Sequence, residues 1–537
     1  GEQVAAGSAG FNRDGSTLTI HTSDQVIINW QDFSIGAGEL TKFIQPSAAS
    51  AALNRVVSGN PSSILGTLQA NGQIFLINPN GILVGGGAVI DTGGFIASTF
   101  DISNQQFLQG GNLNFTGDST AKIENQGRIN AIGGDIILIA RHVENKGELN
   151  APDGTVAMAA GHDILLAQTG DEKVFVRPTA HAPANGTGVL NSGTIEAARA
   201  ELKSHGNLYA LAINNSGVVR ANGAVSKNGH VYLTASGGRV VHSGTLSAKN
   251  HNGTGGEVRV LGDQIHLTGQ AVVDASGPNG GGEILIGGSQ QGAGPLPNAL
   301  HLELGDRVTV SADALLSGDG GKIILYSEGT TVVHGAISAR GENGGFIETS
   351  GATLEVLGAI DVSGVNGSGG EWLIDPINVV VNAALATAIS AQLNLGNNVT
   401  VTTNGGGPAV GNITVNASVT KSAGNPSRLR MEAHNNITFA GGVAIRSTGS
   451  SVNRLEIDLE ADKDNNGAGT LVLNNVQLSS KGADITLRGV GVTSTGGTVN
   501  ATGSGAVNGQ ILVNAKGGAV QLGGELKTLN PYANALI

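Results

Sequence analysis

Cysteine is absent from this sequence of 537 residues, and aromatic residues (3%) and charged residues (13%) are both scarce. Disulfides are therefore excluded as a source of stability. The same absence is compatible with export, because a disulfide formed in an oxidising compartment closes a loop that cannot pass unfolded through a narrow pore. With so few aromatic rings, the core must be built mainly from Val, Ile, Leu and Ala.

A basic surface and a long apolar segment are also missing. The formal net charge is −12, whereas phosphate binding requires a basic face. The sequence has no apolar run as long as the ~18 residues that a membrane-spanning helix needs. We therefore expect neither a nucleic-acid partner nor insertion into a membrane. The opening residues GEQVAAGSAG lack the basic and apolar regions of a signal peptide, so we expect that any such signal has been removed.

Glycine, in contrast, is abundant at 86 residues, and short phrases recur around it. IENQG from Ile123 returns as VENKG from Val143, and a glycine pair precedes a short strand in GGDIIL, GGEILI and GGEWLI, from Gly133, Gly281 and Gly369. Rungs of roughly 20 to 25 residues with glycine corners predict an all-β solenoid, the parallel β-helix. A β-propeller is the rival fold, but its blades usually need ~40 residues and aromatic motifs.

Sequence texture divides the chain into three regions. Residues 1–105 contain Trp30 and several Phe and differ from the repeats, so we expect a β cap that covers the open edge of the first coil. Residues 106–375 carry the β-helix repeats. Residues 376–537 begin with an insertion and continue either as further β-helix or as a second β domain.

One helix is predicted near residues 382–395, where the sequence reads NAALATAISAQLNL. Ala and Leu have high helix propensity. Asn382 suits the N-cap position, and Gly396 suits the position just beyond the last turn. We therefore expect a short helix inside an otherwise all-β chain.

The most hydrophobic stretch, QIFLINPNGILVG (73–85), is interrupted by an Asn-Pro-Asn-Gly sequence. Proline has no N–H to donate to a sheet, so we expect two strands separated by a turn. Asn at the first position can bond the backbone ahead, Pro fixes φ at the second, and Gly is favoured at the fourth. These preferences predict a type I turn.

Three segments resemble the secretion domain of the two-partner-secretion exoproteins, the family of filamentous haemagglutinin, the high-molecular-weight adhesins and the secreted haemolysins. They are VIINWQDFSIG from Val26, LNRVVSGNPSSILGTLQANGQIFLINPNGILVG from Leu53 and GGFIASTFDIS from Gly93. The ordered string of NRV, GQIFLINPNGI and GFIAST is very specific. The NPNG form of the turn is typical of the adhesin branch.

The resemblance implies a right-handed parallel β-helix behind an N-terminal cap, with a secretion domain that extends to about residue 250. It also implies a partner, an outer-membrane β-barrel transporter with periplasmic POTRA domains, and therefore secretion to the surface of a Gram-negative cell. By the same resemblance, the secretion motif consists of Asn54, Arg55, Asn78, Pro79, Asn80 and Gly81.

Motifs for catalysis or metal binding are weak. HExxH, CxxC, P-loop and GxSxG patterns do not occur, and we expect neither an enzyme nor a cofactor. DKDNNG fits the start of a calcium loop with Asp462, Asp464 and Asn466 as ligands, but Leu473 stands where the bidentate Glu belongs. An acidic surface turn is the alternative interpretation.

The predicted function is that of the N-terminal region of a large secreted surface adhesin. Its cap would act as secretion signal and folding template, and its β-helix would be a rigid scaffold that binds a host or bacterial glycan or protein. Two alternatives stay open. One is the stalk of a haemolysin or contact-dependent inhibition toxin, and the other is a β-helix carbohydrate-active enzyme, which would need carboxylates that converge in one groove.

Overall fold

The computed structural model describes residues 1–178, 184–223, 228–250, 253–403, 411–450, 452–503, 508–528 and 535–537. The chain divides into two units, of which the first comprises residues 1–251 and 256–274 and the second comprises residues 252–255 and 275–537. None of the helices in the described ranges is long and apolar enough to cross a membrane.

The edge of the first coil is covered by strands that run against it. Glu2–Ala6 pairs antiparallel with Val26–Trp30, and Ala9–Asp14 pairs antiparallel with Thr17–Thr22. On its other side Val26–Trp30 pairs parallel with Ala51–Val56, and the coils begin there. Because the antiparallel strand occupies edge groups that could otherwise pair with another chain, the predicted N-terminal β cap is confirmed.

Parallel strands stack coil upon coil in the rest of the first unit. Ile74, Phe95, Ile136, Val156 and Ala200 occupy one position on successive coils and are all 0% exposed. The strands are Leu40–Ile44, Ala51–Val56, Ser62–Ile64, Thr67–Ala70, Gln73–Ile77, Ile82–Val84, Val89–Thr92, Gly94–Ser98, Lys122–Asn125, Arg128–Ala131, Ile136–Ala140, His142–Asn145, Glu148–Ala160, Ala184–Asn191, Thr194–Ser204, Tyr209–Asn215, Val218–Ala221, His230–His242, Thr245–Ser247, Glu257–Leu267 and Val272–Asp274. The predicted parallel β-helix is confirmed.

The repeated phrases form a tight corner in these coils. A Cβ on Gly147 would lie 2.0 Å from the carbonyl oxygen of Gly127, so the stacked corner requires glycine. The Asn two residues before each corner glycine points inward and bonds its counterpart on the next coil. We call this column the amide ladder, and it consists of Asn125, Asn145, Asn191 and Asn215, all 0% exposed.

A small antiparallel sheet lies against the outward side of the same coils. It contains Leu113–Thr116, Asp163–Leu166 and Val174–Val176 and follows helix α1 (Asn104–Gln109). Phe107 of α1 packs edge-on against Phe75 of the coils, with 5.3 Å between ring centroids. The cover explains why the coil strands beneath are apolar on both faces. The repeat pattern of the sequence did not predict this sheet.

The second unit is also built from parallel strands that stack coil upon coil. One set of strands is Glu283–Ile286, His301–Leu304, Thr309–Ser311, Lys322–Tyr326, Thr330–Val333, Ala336–Ser338, Phe346–Gly351, Thr353–Val356, Ile360–Asp361, Glu371–Pro376, Asn398–Thr402, Ser427–Ala433, Leu455–Ala461, Ile485–Gly489, Ile511–Ala515 and Ala535–Leu536. A nine-stranded sheet adds Val379–Val381, Ile413–Val415, Val419–Lys421, Ile437–Phe439, Ala444–Ser447, Thr470–Leu473, Val476–Ser479, Gly491–Asn500 and Val520–Lys527. Single turns of 3₁₀-helix lie at Gly206–Leu208 in the first unit and at Gln290–Gly292 in the second.

Helix α2 (Ala383–Asn394) lies where the sequence predicted it. The Asn382 side chain accepts a hydrogen bond from the backbone N–H of Leu385, and Gly396 follows with φ +84°. The ammonium of Lys421, fully buried, donates to the carbonyl oxygens of Leu393 and Ala423. The helix prediction is confirmed, and parallel pairing resumes beyond it. The domain boundaries drawn from sequence texture stay a prediction.

Candidate functional site at the capped end

The NPNG segment closes as a hydrogen-bonded turn. The backbone N–H of Gly81 donates to the carbonyl oxygen of Asn78 at 3.1 Å, and the N–H of Asn80 donates to Asn78 Oδ1 at 2.9 Å. Asn80 keeps a negative φ, whereas Gly81 has φ +108°. A negative φ at the third position excludes type II and fits the predicted type I turn.

The turn is fixed to the coils before and after it. Asn78 is 0% exposed, and its Nδ2 donates to the carbonyl oxygen of Asn60 at 3.0 Å and to Ser62 Oγ at 2.9 Å. Its backbone N–H donates to the carbonyl oxygen of Ser98 at 2.9 Å. The hydroxyl of Ser119 donates to the carbonyl oxygen of Pro79 at 2.6 Å. The two N–H-bearing groups of Asn78 therefore bond the neighbouring coils, while its two oxygens close the turn.

Asn54 faces the interior of the coil. Its Oδ1 accepts a hydrogen bond from Trp30 Nε1 at 3.0 Å, and its Nδ2 lies 3.3 Å from the carbonyl oxygens of Ala52 and Phe75. Asn54 is 0% exposed and Trp30 4%. Because a buried indole N–H costs free energy unless it is bonded, Asn54 allows the large Trp30 ring to fill the first coil.

Arg55, the next residue, faces outward and holds the chain that leads into helix α1. Its Nε donates to Asp101 Oδ1 at 3.0 Å, its Nη2 to the carbonyl oxygen of Ile102 at 2.8 Å and its Nη1 to Asn104 Oδ1 at 2.8 Å. The Arg55 side chain is 14% exposed, while that of Asp101 is 50% exposed. The planar guanidinium suits this multiple contact better than an ammonium would.

The sequence-predicted residues thus meet on neighbouring coils. Arg55 is paired in register with Ile77, the residue before the turn. The residues of the predicted secretion motif therefore form one contiguous structural unit. Asn54 and the turn each bond two coils, and Arg55 bonds its coil to the chain that leads into helix α1. A role in secretion stays a prediction. Sequence reasoning missed the partners Trp30 and Asp101. Both stand inside the segments that carry the resemblance, which was the one available signal.

Paired charges lie on the coils that follow the turn. Lys122 and Lys146 both contact Glu124 and Glu144; the Lys146 Nζ distances are 2.9 Å to Glu124 and 2.8 Å to Glu144. Hydrogen bonds from Lys122 and Lys146 lower the pKa of Glu124 to about 2. At neutral pH this patch is therefore internally compensated, and it offers no net charge to a partner.

The calcium candidate lies in the second unit. Asp462 is 2% exposed, and its Oδ1 accepts from the backbone N–H of Gly467 at 3.1 Å. Asn466 Nδ2 donates to Asp464 Oδ2 at 2.9 Å, and Lys516 Nζ donates to the carbonyl oxygen of Asp462 at 2.7 Å. The loop bonds within itself and to a lysine. Calcium binding there stays a prediction.

Comparison with known proteins adds an independent line of evidence. A family model described as the TPS secretion domain matches residues 2–248. The crystal structure of the HMW1 secretion domain from Haemophilus influenzae superposes with a TM-score of 0.57 at 30% sequence identity, and the match covers 70% of this chain and 99% of that one. The chain belongs to the two-partner-secretion exoproteins.

Curated relatives match this exoprotein over shorter segments. A heme/hemopexin-binding protein of Haemophilus influenzae strain Rd is 39% identical over 115 residues, which cover 21% of this chain and 12% of the relative. A second protein of that description, also from Haemophilus influenzae, is 45% identical over 80 residues, which cover 15% of this chain and 9% of the relative. The matched segments thus span a small part of each relative. Membership implies secretion by a Gram-negative bacterium and a two-partner-secretion transporter in the outer membrane.

Proposed function

We propose that this exoprotein chain is the N-terminal region of a large surface adhesin. Its capped coils act as secretion signal and folding template, and its later coils form a rigid scaffold for binding. The observation that carries the first part is the geometry of the predicted motif, in which Asn54 and the NPNG turn each bond one coil to another and Arg55 bonds its coil to the chain that leads into helix α1. Such residues are needed when the first coils must hold together before later coils exist.

The physical argument concerns the energy source for export. Outside the inner membrane no nucleotide supplies energy, so folding beyond the pore must bias the movement of the chain. In a solenoid each coil contacts mainly its neighbours, so folding propagates from one end. A cap that is stable early provides the edge on which the next coil forms. The proposed partner is an outer-membrane transporter with periplasmic POTRA domains, and the proposed destination is the cell surface.

The proposed ligand is a host or bacterial surface glycan or a surface protein. The relatives described as heme/hemopexin-binding favour a second candidate, the binding of haem or of its carrier protein. The stalk of a toxin remains an alternative for the whole protein. A carbohydrate-active enzyme would need accessible carboxylates. Glu348 and Asp375 lie close enough for Gln291 to bond both of them, but they are 0% and 2% exposed, so a polymer has no access to them in this structure.

A secretion assay tests the role of the motif. The chain is fused to a signal peptide for export to the periplasm and is expressed with a two-partner-secretion transporter, and the amounts in the medium and in the periplasm are measured. We expect Arg55→Ala and Asn78→Ala to reduce the secreted fraction several-fold. The matched control is Asn150→Ala, which removes an exposed amide on a nearby coil. Normal secretion of both motif variants would contradict the proposed role.

A binding assay tests the adhesin separately. The purified full chain is applied to host and bacterial glycans, to matrix proteins, and to haem and hemopexin. Binding to a glycan or matrix protein supports the adhesin, and binding to haem or hemopexin alone replaces it by the second candidate. Binding to none of these contradicts an adhesive role for this region, whatever the secretion assay shows.

A further inference from the structure

A loop of the second unit covers part of the coils that follow it in the chain. Residues 288–299, which we call the strap, connect the strands Glu283–Ile286 and His301–Leu304. Gln291 adopts φ +53° within it, a conformation that non-glycine residues rarely take without support from their surroundings. A Cβ on Gly292 would lie 2.3 Å from Tyr326 Oη. The strap is therefore seated directly on the tyrosine ring of the next coil.

Two carboxyl groups lie beneath the strap on successive coils. Glu348 is 0% exposed and Asp375 is 2% exposed. The backbone N–H of Gln291 donates to Glu348 Oε1 at 2.8 Å, and its side-chain Nε2 donates to Asp375 Oδ2 at 3.0 Å. One residue of the strap thus bonds both groups, which stand 57 and 84 residues further along the chain. We call Glu348 and Asp375 the carboxyl pair.

The remaining oxygen of each carboxyl, Glu348 Oε2 and Asp375 Oδ1, is buried without a hydrogen-bond partner. The Ser350 hydroxyl adds one bond, to Glu348 Oε1 at 2.6 Å. A carboxylate left with an unpaired oxygen in the interior is unfavourable, because burial removes the water that stabilised its charge. Two such anions on adjacent coils are worse, because they also repel each other.

The charged groups around the pair do not neutralise it by contact. Lys322 Nζ lies 3.3 Å from Glu283 Oε1, and Lys463 Nζ donates to Thr402 Oγ1 at 2.5 Å. Lys322 acts on Glu348 from a distance, as do Lys463 and His434 on Asp375. Further titratable groups on this face are Tyr326, Glu328 and Glu371, the last of which accepts a hydrogen bond from Thr400 Oγ1 at 2.6 Å. Burial raises the pKa of Glu348 to about 7, and burial also raises the pKa of Asp375.

We propose that the strap is a latch that closes when the carboxyl pair holds a proton and opens when the pair loses it. In the closed state the strap bonds one neutral and one charged carboxyl and covers Leu285, Ile324 and Tyr326, against which Leu296 packs. In the open state water reaches both carboxylates, and that apolar patch becomes exposed. The two hydrogen bonds from Gln291 cannot compensate for the desolvation of a second anion.

The sign of the effect follows from protonation. Because Glu348 binds its proton more tightly with the strap closed than in water, closure is favoured in acid and weakens as the pH rises from about 4.5 to about 7. The latch therefore makes an apolar surface of an exported protein available at neutral pH and withdraws it in acid. This inference does not depend on the proposed adhesive function.

A thiol-labelling experiment tests the latch, and the absence of native cysteine makes it clean. Leu296→Cys places a probe under the strap, and Leu316→Cys, at a side chain that is 84% exposed, is the reference for the pH dependence of the thiol itself. Labelling rates of the full chain are measured with EDTA from pH 5 to pH 8.5. We expect the ratio of the two rates to rise at least about tenfold with pH.

Two charge variants decide the cause. Glu348→Gln keeps the shape of the side chain but cannot ionise, so we expect the labelling ratio to stay low at every pH. Glu328→Gln is the matched control, because Glu328 accepts a bond from Asn298 of the strap at 3.2 Å but is exposed; the rise should persist. If the ratio is constant in the parent chain, or rises equally with Glu348→Gln, the proposal is wrong.

A second cysteine probe shows whether Leu296→Cys itself loosens the strap. Ala299→Cys lies at the end of the strap at a position that is 0% exposed and changes little volume. We expect it to show the same rise with pH and the same loss of that rise with Glu348→Gln. A fast, pH-independent ratio at both probes would show that the strap is open throughout, which would also overturn the proposal.

Discussion

The amide ladder of the first unit and the carboxyl pair of the second both place polar side chains away from water, but only the ladder satisfies itself. Asn125 donates to Asn145 at 2.8 Å, Asn145 to Asn191 at 2.8 Å and Asn191 to Asn215 at 2.7 Å. An amide carries both donor and acceptor, so identical side chains can bond in series. An ionised carboxylate only accepts, so its donors must come from elsewhere.

The two arrangements also respond to pH in opposite directions. The ladder ends at His242, whose Nδ1 lies 3.1 Å from Asn215 Nδ2, and burial lowers the pKa of His242 to about 4. Acid therefore disfavours the neutral imidazole at the end of the ladder. Acid favours the carboxyl pair, because burial raises the pKa of Glu348. The amide ladder is therefore more stable at neutral pH than in acid, whereas the carboxyl pair is more stable in acid.

Breaking the ladder should have the largest effect. Asn145→Ala removes two buried hydrogen bonds and leaves groups of Asn125 and Asn191 without their partners, so we expect a loss of about 3 kcal/mol. The full chain is unfolded with urea, and the midpoint of the first unfolding transition is measured. Asn150→Ala, which removes an exposed amide on the next strand of the chain, should change the midpoint very little. Equal effects of the two changes would show that the ladder contributes no special stability.

The carboxyl pair should impose the next largest effect. Between pH 4.5 and pH 7 the folded state binds more protons at Glu348 than the unfolded state does. Stability should therefore fall, by at most about 3 kcal/mol, as pH rises through that window. The free energy of unfolding is measured with urea at each pH for the parent chain and for Glu348→Gln, and the difference between the two isolates this contribution. A difference that does not vary with pH would contradict it.

His242 should give a similar change of opposite sign. Its folded-state pKa is lowered from 6.5 to about 4, so the unfolded state binds more protons between these values. Stability should be lost as pH falls through that window, by about 3 kcal/mol at most. His242→Asn can still accept from Asn215 but cannot titrate in this range. Unfolding of this variant should lack the acid-dependent loss, and a retained loss would assign it to another group.

Ser350→Ala should produce the smallest effect. The Ser350 hydroxyl donates to Glu348 Oε1, and its removal leaves that oxygen with the backbone N–H of Gln291 alone. We expect a loss of about 1 kcal/mol, measured by the same unfolding at pH 5. Ser317→Ala, whose exposed hydroxyl bonds Asn279, is the control and should be neutral. A neutral Ser350→Ala would mean that Glu348 is satisfied without it.

Local sequence predicted those features whose interactions lie near in the chain or repeat in it. The N-terminal β cap, helix α2 and the corner glycines of the repeated phrases were all anticipated, because turn chemistry, capping and stacking leave short patterns. The NPNG turn was also predicted from its residues, but the secretion role of the turn, Asn54 and Arg55 was indicated by family resemblance rather than by local physics. Their partners Trp30 and Asp101 were not predicted, since hydrogen-bond geometry across coils leaves no periodic trace.

The sequence by itself determined that this chain forms stacked coils and where their corners lie, because glycine and β-branched residues repeat at the period of one coil. Only the tertiary structure decided which polar groups would meet. Gln291 bonds Glu348 and Asp375 across 57 and 84 residues, and the small side sheet covers coils far from it in sequence. Such contacts depend on the number of residues in every intervening coil. Because coil lengths vary, the local sequence pattern does not show which residues will lie beside each other.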